Sequence, residues 1–352
     1  MGSPKITVIM PVYRTQATLP RAVQSIRDQS FEDWELLLVD DCSPDGSGVL
    51  AQELAGSDPR IRVFHKQKNE GLAMARNTGV AQARGDYICF VDSDDWVEPQ
   101  MLGGAWEAAQ RSGAQAVVYG YCQDFSRSGL DQETTAVVAP TPKQLDSRRR
   151  IAKYAAVLDK EKVFAYTTNK LYRRQTILDS GVTSQKIPLI EDLLFNAQLF
   201  AHLDCLVVLD SVYYHYMKYG AGSLTDAFVP EYPQLICRRF DAMKALYESA
   251  GVYGGDVRRE LCNVHLRHVV SAFERECAAG KALSAAQKRR RMKELLHTPQ
   301  TLEALQFARG TSKQARLLNA VVRTKSAVCG MAFGWLLHTV KKRRPDLFDK
   351  LK

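Results

Sequence analysis

The sequence predicts an α/β protein whose doubly wound, mostly parallel sheet is followed by a helical C-terminal region. In the first part, short apolar runs alternate with stretches whose apolar residues have helical spacing, such as Leu19, Val23 and Ile26. In the last third the helical periodicity continues without a convincing strand pattern. We therefore expect two domains, at residues 1–229 and 230–352.

The elements of the first domain follow one another in a regular order. Strands are predicted, as short apolar runs, over residues 6–10, 34–39, 61–64, 87–91, 116–119 and 205–209. Helices are predicted over residues 147–158 and 190–200, where apolar residues recur at helical spacing. Residues 124–146 are polar and are predicted to be irregular, and the Gly- and Pro-containing segment 220–233 separates the two domains.

Polar residues follow each of the first four predicted strands. The clusters are Pro11-Val12-Tyr13, Asp40-Asp41-Cys42-Ser43, Asn69-Glu70-Gly71 and Asp92-Ser93-Asp94-Asp95. In open α/β sheets, ligands bind beyond the carboxyl ends of the strands. We therefore expect the four clusters to form one ligand-binding crevice.

The fourth cluster places three carboxylates, those of Asp92, Asp94 and Asp95, directly after an apolar run. Crowded carboxylates repel one another unless a cation or a donor-rich ligand lies between them. A helix N-cap would account for one of these aspartates, but not for all three. Oxygen ligands in small number, with room for phosphate oxygens, favour Mg²⁺ or Mn²⁺.

Charge and cysteine usage restrict the partners and the location. The formal net charge of +9 and the pI of about 9.1 favour anionic partners. Eight scattered cysteines without a Cys-x-x-Cys pair indicate reduced thiols and a cytoplasmic protein. The strand predicted at residue 6 leaves no room for a secretory signal, and the apolar stretch 326–340 is shorter than the roughly 20 residues that a spanning helix needs.

Two common nucleotide-binding motifs receive little support. Residues 46–51 match the glycine pattern of dinucleotide-binding folds, but residues 40–45 separate them from the preceding strand. The sequence contains no Gly-x-x-x-x-Gly-Lys-Ser/Thr loop. A dehydrogenase and a P-loop NTPase are therefore disfavoured.

Several linked segments of the first domain form a recognisable set. They are residues 9–13, 29–35, 39–47, 69–77, 85–88 and 90–95, followed by Asn169-Lys170-Leu171-Tyr172 and Glu191-Asp192-Leu193-Leu194-Phe195. In this order they resemble the glycosyltransferase family 2 domain, and the likeness extends from about residue 5 to about residue 225. The resemblance implies a GT-A fold and an inverting sugar transferase. Its donor would be a nucleotide-diphosphate sugar, expected to be a UDP-sugar, used with Mn²⁺ or Mg²⁺.

The resemblance also implies roles for residues at the nucleotide end of the crevice. Pro11, Val12 and Tyr13 match the wall of the nucleotide pocket. Asp41 matches the carboxylate that hydrogen-bonds the base. These four residues would select and orient the nucleotide.

A second group of residues matches the family's diphosphate and metal site. Asp92, Ser93 and Asp94 form the Asp-x-Asp element, with Asp92 near the ribose and the metal, Ser93 among the donor-binding residues, and Asp94 on the metal. Arg76 resembles a cation that faces the diphosphate. His215 matches a region from which some relatives supply a metal ligand, although a histidine among tyrosines also fits a packed, hydrogen-bonded residue.

The reaction explains why a carboxylate is needed elsewhere. Breaking the bond to phosphate puts negative charge on the diphosphate, which a metal and Arg76 can stabilise without a general acid. A base must then deprotonate the acceptor hydroxyl, and Asp192 matches the family's catalytic carboxylate. Glu191 is expected to orient the acceptor or Asp192, although both acids also suit a helix N-terminus. Ser223 and Thr225 match a segment that closes over donor and acceptor.

Three residues depart from the family pattern. Arg14 stands where many members have Asn, Cys42 where Gly is usual, and Met217 where Arg is common. These departures put the donor contacts in question, but not the reaction class.

The C-terminal sequence allows two interpretations. Residues 335–344 run from Trp335 into four consecutive cations. An interfacial helix beside this basic patch would hold the protein at an anionic membrane, on the inner face of the cell membrane. A core-packing helix with a solvated charged end fits equally well. No interleaved aromatic and basic pattern indicates nucleic-acid binding.

These observations predict a metal-dependent transferase in surface polysaccharide or capsule synthesis, whose acceptor is a glycan or a lipid-linked hydroxyl. The alternative is a noncatalytic protein that binds nucleotide sugars or polyanions. The presence of Asp192 together with the Asp-x-Asp element argues against this alternative.

Overall fold

The computed structural model of the protein describes residues 3–126, 132–219, 228–279, 283–310 and 312–343. The chain divides into two compact units, Met1–Thr225 and Asp226–Lys352. The segment containing Ser223 and Thr225 lies outside the described residues, so its predicted role over the crevice stays a prediction.

The first unit alternates strands and helices over most of its described length. In chain order these are β1 (Ile6–Val12), α1 (Leu19–Arg27), β2 (Trp34–Asp40), α2 (Ser47–Gly56), β3 (Ile61–His65), α3 (Leu72–Gln82), β4 (Tyr87–Phe90), β5 (Trp96–Val97), α4 (Met101–Ser112), β6 (Ala116–Ser126), β7 (Glu133–Val138), β8 (Lys143–Leu145), α5 (Arg148–Lys160), β9 (Lys170–Arg173), α6 (Arg174–Ser180), α7 (Glu191–Phe200) and β10 (Leu206–Tyr219). The alternation is that of a layered α/β fold.

Across the described part of the first unit, the strands form one sheet in the order β3-β2-β1-β4-β9-β6-β10-β5, with β7 beside β6 and β8 beside β10. β3, β2, β1 and β4 are parallel, and so are β6 and β10. β9 runs antiparallel to both β4 and β6 and joins the two parallel groups. Every residue of β1 and β2 is buried, so both faces of the sheet are covered there. The predicted doubly wound, mostly parallel sheet is confirmed. β9 is an antiparallel insertion, and β5, β7 and β8 also pair antiparallel with their neighbours.

The prediction for residues 124–146 was wrong. Here β6 continues to Ser126, and β7 and β8 add to the sheet by pairing with β6 and β10. Most residues of β7 are exposed, and its apolar run is only three residues long, from Ala136 to Val138, so the pattern does not mark it as a strand. The strand predicted at 205–209 is longer in the structure. β10 runs to Tyr219, and its pairing with β6 shifts register between Val208 and Val212.

Close packing of α3 on β1 fixes the position of the residues that α3 carries. A Cβ atom added at Gly79 would lie 2.3 Å from Cγ2 of Ile9, so only glycine fits at this contact. Arg76 lies one turn earlier on the same helix and is buried. Gly79 therefore determines how closely Arg76 approaches the sheet.

The described residues of the second unit are helical, in agreement with the prediction. They form α8 (Tyr232–Ser249), α9 (Gly255–Ala278), α10 (Ala285–Leu296), α11 (Pro299–Phe307), α12 (Lys313–Arg323) and α13 (Ala327–Arg343). Among the described residues, no helix is both long enough and apolar enough to cross a bilayer.

We predict that Gly79→Ala will destabilise the first unit by about 1–3 kcal/mol, because the added methyl group overlaps Ile9. The measurement is the free energy of unfolding in urea, monitored by circular dichroism.

Gly56→Ala is the matched control. A Cβ at Gly56 meets no atom within 4 Å, so the substitution should be neutral or stabilise by up to about 1 kcal/mol. Equal midpoints for the two variants would contradict the close packing of α3 on β1.

Candidate active site

Hydrogen bonds around Asp41 join the first three polar clusters. The backbone N–H of Asp41 donates to the carbonyl of Val12 over 2.9 Å. Its carboxylate accepts the backbone N–H groups of Glu70 (3.1 Å) and Gly71 (2.7 Å) and contacts the Lys66 ammonium at 2.9 Å. Gly71 has a φ of 94°, which favours glycine at this turn into α3. Asp41 thus holds the ends of the first three strands together.

The predicted nucleotide wall lies at the end of β1. Pro11 and Val12 are buried in the strand, whereas the side chain of Tyr13 is 38% exposed. Tyr13 and Asp41 follow two adjacent parallel strands, so the same edge of the sheet carries an exposed ring for stacking and a carboxylate that accepts hydrogen bonds. This pairing suits a planar base that carries N–H groups.

The loop after β4 is anchored to β10 through Asp95. The buried Asp95 carboxylate accepts the Tyr214 hydroxyl over 2.5 Å and the backbone N–H of Met217 over 2.8 Å. The Tyr214 oxygen also accepts the backbone N–H of Asp92 over 3.2 Å. Burial raises the pKa of Asp95 well above its usual value, and the nearby charges of Asp94 and Asp92 add smaller increases. Asp95 therefore fixes the loop on which its neighbours are presented.

The Asp94 region has the properties of a cation site. Burial and the charge of Asp92 raise the pKa of Asp94 to about 6. The Arg21 guanidinium donates to the Asp94 carbonyl (3.1 Å), and the buried Ser93 offers its carbonyl to Thr18 (2.9 Å). Two neighbouring carboxylates that disfavour each other's charge, on a loop held from both sides, fit a hard divalent cation such as Mg²⁺ or Mn²⁺.

Arg76 connects this loop to Asp192. The side chain of Arg76 is buried, and its guanidinium donates to Asp92 over 3.0 Å and to Asp192. Burial alone would lower the pKa of Arg76, but the charges of Asp192 and Asp92 raise it above its usual value. Arg76 was expected to face the diphosphate; in the structure its guanidinium bridges two carboxylates of the site.

Asp192 is held on both of its oxygens. Oδ1 faces Arg76, and Oδ2 accepts the backbone N–H (3.0 Å) and the hydroxyl (2.9 Å) of Thr167. Glu191 and Asp192 lie in the first turn of α7, as predicted. Burial, together with the smaller effect of the Asp192 charge, raises the pKa of Glu191 to about 7. The two adjacent acids therefore differ in environment, because Asp192 has both a cation and a double donor.

His215 makes contacts that do not include Asp92 or Asp94. Its Nδ1 lies 2.7 Å from Asp124 and its Nε2 lies 2.9 Å from Glu98, while its ring stacks on Trp96 with 3.6 Å between centroids. In the part of the chain that the structure describes, one group of possible metal ligands is close together. The ligand atoms of Cys122, Asp124 and His215 all lie within 4.8 Å of one another. Both ring nitrogens are thus engaged, which favours the packed, hydrogen-bonded interpretation; a metal role for His215 stays a prediction.

A small pocket lined by aromatic rings lies close to Asp192. Tyr121, Tyr166, Tyr214 and Tyr216 line it, together with Thr168 and Asn169. Tyr166 directly precedes the threonine that holds Asp192, and Tyr214 is the residue that anchors the Asp95 loop. The pocket is therefore bounded by the segments that hydrogen-bond to Asp192 and to Asp95.

Comparison with known proteins identifies the family. Residues 7–179 match glycosyl transferase family 2. EpsJ of Bacillus subtilis, named an uncharacterized glycosyltransferase, is 31% identical over 75% of this chain and 76% of its own. The chain belongs to glycosyltransferase family 2.

Two further proteins are similar to this glycosyltransferase. TuaG of Bacillus subtilis, named a putative teichuronic acid biosynthesis glycosyltransferase, is 41% identical over 26% of this chain and 36% of its own. The structure of S. aureus TarS residues 1–349 in complex with UDP-GlcNAc superposes with a TM-score of 0.61 at 16% identity, covering 97% of this chain and 92% of that one. At this identity the likeness establishes the fold, which is GT-A followed by helices.

The structure explains two departures of this glycosyltransferase from the family pattern. Arg14 and Cys42 have φ values of 55° and 59°, in the left-handed region. Asn and Gly, the residues usual at these positions, adopt this conformation more readily than Arg or Cys. The backbone shape of the crevice is thus retained although the residues that favour it are replaced.

Three residues that contact the site were not predicted. Thr167 holds Asp192, Lys66 pairs with Asp41, and Arg21 contacts the Asp94 carbonyl. Each is distant in sequence from its partner, and no local pattern marks it. Only the neighbourhood of Asn169-Lys170, already singled out as a motif, could have pointed to Thr167.

We predict that Tyr214→Phe will destabilise the first unit by about 1–3 kcal/mol, because Asp95 and the Asp92 N–H lose a shared partner. The measurement is the free energy of unfolding in urea, monitored by circular dichroism.

The comparison variant is Tyr119→Phe. The Tyr119 hydroxyl is also buried, but it makes a longer bond, 3.3 Å, to the neutral carbonyl of Thr168. Its loss should cost less than about 1 kcal/mol. If the two variants lost the same free energy of unfolding, the anchoring of the loop by Tyr214 would be refuted.

Proposed function

We propose that this glycosyltransferase moves a sugar from a UDP-sugar to a hydroxyl of a glycan or lipid-linked acceptor, with inversion at the anomeric carbon. The observation that carries the proposal is the Arg76 bridge between Asp92 and Asp192. It places a carboxylate of the Asp-x-Asp loop and the candidate base on either side of one buried cation. A donor and an acceptor that contact these carboxylates would therefore be neighbours.

The donor end of the crevice supports a uridine nucleotide. Asp41 supplies a carboxylate and Tyr13 an exposed ring at the ends of adjacent parallel strands. The TarS structure, which has the same fold, contains UDP-GlcNAc. The kinship with TuaG supports surface polysaccharide synthesis as the setting.

Asp92 and Asp94 would hold the Mg²⁺ or Mn²⁺ ion. When bound, the cation supplies positive charge that stabilises the diphosphate as it leaves. The chain's own residues prepare this place, since Asp95 and Tyr214 fix the loop and Arg21 holds its backbone from α1. The buried Arg76 orients Asp92 and thereby sets one side of the donor site.

Asp192 would act as the base. It would take the proton of the acceptor hydroxyl as the acceptor oxygen bonds to the anomeric carbon and the bond from that carbon to the phosphate oxygen breaks. Arg76 and Thr167 hold Asp192 in position, since each donates a hydrogen bond to it. Glu191 lies beside the base, where it can contact the acceptor.

The decisive experiment measures UDP release from a panel of UDP-sugars and glycan acceptors with Mn²⁺. Asp192→Asn should lower turnover by about 10²–10⁴-fold while UDP binds with nearly unchanged affinity. EDTA should abolish turnover, and added Mn²⁺ should restore it.

Asp204→Asn is the matched control, since Asp204 is an exposed carboxylate paired with Arg148, and it should retain full activity. Nucleotide binding without turnover on any donor and acceptor would instead support the noncatalytic alternative.

A second prediction concerns the residue that orients the base. Thr167→Val removes the hydroxyl donor to Asp192 but keeps the backbone donor, so kcat should fall about tenfold with little change in the KM of the donor. Steady-state kinetics over a range of donor concentrations measures both constants.

Thr168→Val, which alters the neighbouring hydroxyl, is the control and should lower kcat less than Thr167→Val does. Equal kcat values for the two variants would contradict the assignment of Thr167 as the residue that orients Asp192.

A further inference from the structure

One face of α13 is fixed by close packing against α9. A Cβ atom at Gly330 would lie 2.2 Å from the ring of Phe273, and one at Gly334 would lie 2.6 Å from the backbone of the same residue. Two glycines one turn apart thus let the helices approach closely. This face satisfies the core-packing interpretation of the C-terminal sequence.

The opposite face of α13 is apolar and exposed. Val328, Trp335 and Leu336 are 60%, 63% and 50% exposed, and Cys329 and Ala332 are also exposed. At about 100° per residue, these five side chains occupy roughly one third of the helix circumference. Large apolar side chains exposed together on one helix face mark an interaction surface.

The net charge of the protein is concentrated around this helix. Between Ala304 and Arg344 the sequence has nine Lys and Arg and no Asp or Glu. Removing those nine from the 48 Lys and Arg of the chain leaves 39, which equals the number of Asp and Glu. The whole formal excess of +9 is therefore carried by this segment.

We infer that the outer face of α13 docks on an anionic lipid bilayer surface. The apolar residues would enter the interface, with Trp335 at the headgroup level. Lys325, which lies three residues before Val328, is exposed and can contact lipid phosphates when this face docks. A second copy of this chain is a poorer occupant, because it would bring nine further cations to the same contact.

This inference concerns binding and is independent of the proposed reaction. Its test is sedimentation of the full chain with vesicles of phosphatidylcholine alone or mixed with phosphatidylglycerol. The chain should bind the mixed vesicles, and binding should weaken as salt is raised. Binding to neither kind of vesicle, or equal binding to both, would overturn the inference.

Variants separate the apolar and the electrostatic contributions. Trp335→Ser with Leu336→Ser should weaken binding to the mixed vesicles by tenfold or more, whereas Val49→Ser, at a position 68% exposed in α2, should not. Lys325→Gln should weaken binding to the mixed vesicles about fivefold. Unfolding curves check that each variant is folded, since all the altered side chains are exposed.

A fluorescence measurement tests insertion directly. The emission of the four tryptophans should shift to the blue when mixed vesicles are added, and the shift should vanish in Trp335→Phe while sedimentation persists. If light scattering instead shows a dimer that the Trp335→Ser, Leu336→Ser variant loses, the face is an interface between copies and the inference is wrong.

Discussion

The buried guanidinium of Arg76 is the interaction on which the rest of the site depends. A charge at this depth is tolerated only because Asp92 and Asp192 compensate it, and removing either carboxylate would leave the guanidinium with a single counter-charge. The two carboxylates come from different elements, the end of β4 and the start of α7, whereas Arg76 comes from α3. One cation therefore specifies the relative positions of three elements. The close contact of Gly79 with Ile9 sets how deeply the Arg76 guanidinium is buried.

Two further buried polar groups hold the loops on either side of this bridge. Asp95 joins the Asp-x-Asp loop to β10 through Tyr214 and Met217. On the other side, the Lys170 ammonium donates to the carbonyls of Val163 and Phe164, which precede Thr167. Buried polar networks of this kind specify one arrangement because an unmade bond is costly. The strands β9 and β10 thus hold the site through hydrogen bonds, although they lie outside the parallel group β3-β2-β1-β4.

The sequence predicted the strands and helices that have strong apolar periodicity, and it failed where that signal is absent. Most residues of β7 are exposed, so its pairing with β6 could not be read from the pattern. The C-terminal helix received two competing interpretations because apolar residues lie on more than one of its faces. The structure assigns each face separately: Gly330 and Gly334 pack on Phe273, and Trp335 is exposed.

The sequence by itself determined the α/β class, the family and the identity of the acidic residues, because strand ends and linked motifs are local patterns. The tertiary structure alone decided the partners of these residues. Arg76 meets Asp192 across a separation of 116 residues, and His215 meets Glu98 and Asp124 through strand pairing. Such contacts depend on the three-dimensional path of the chain and on which charges must be compensated once they are buried. No local periodicity contains that information.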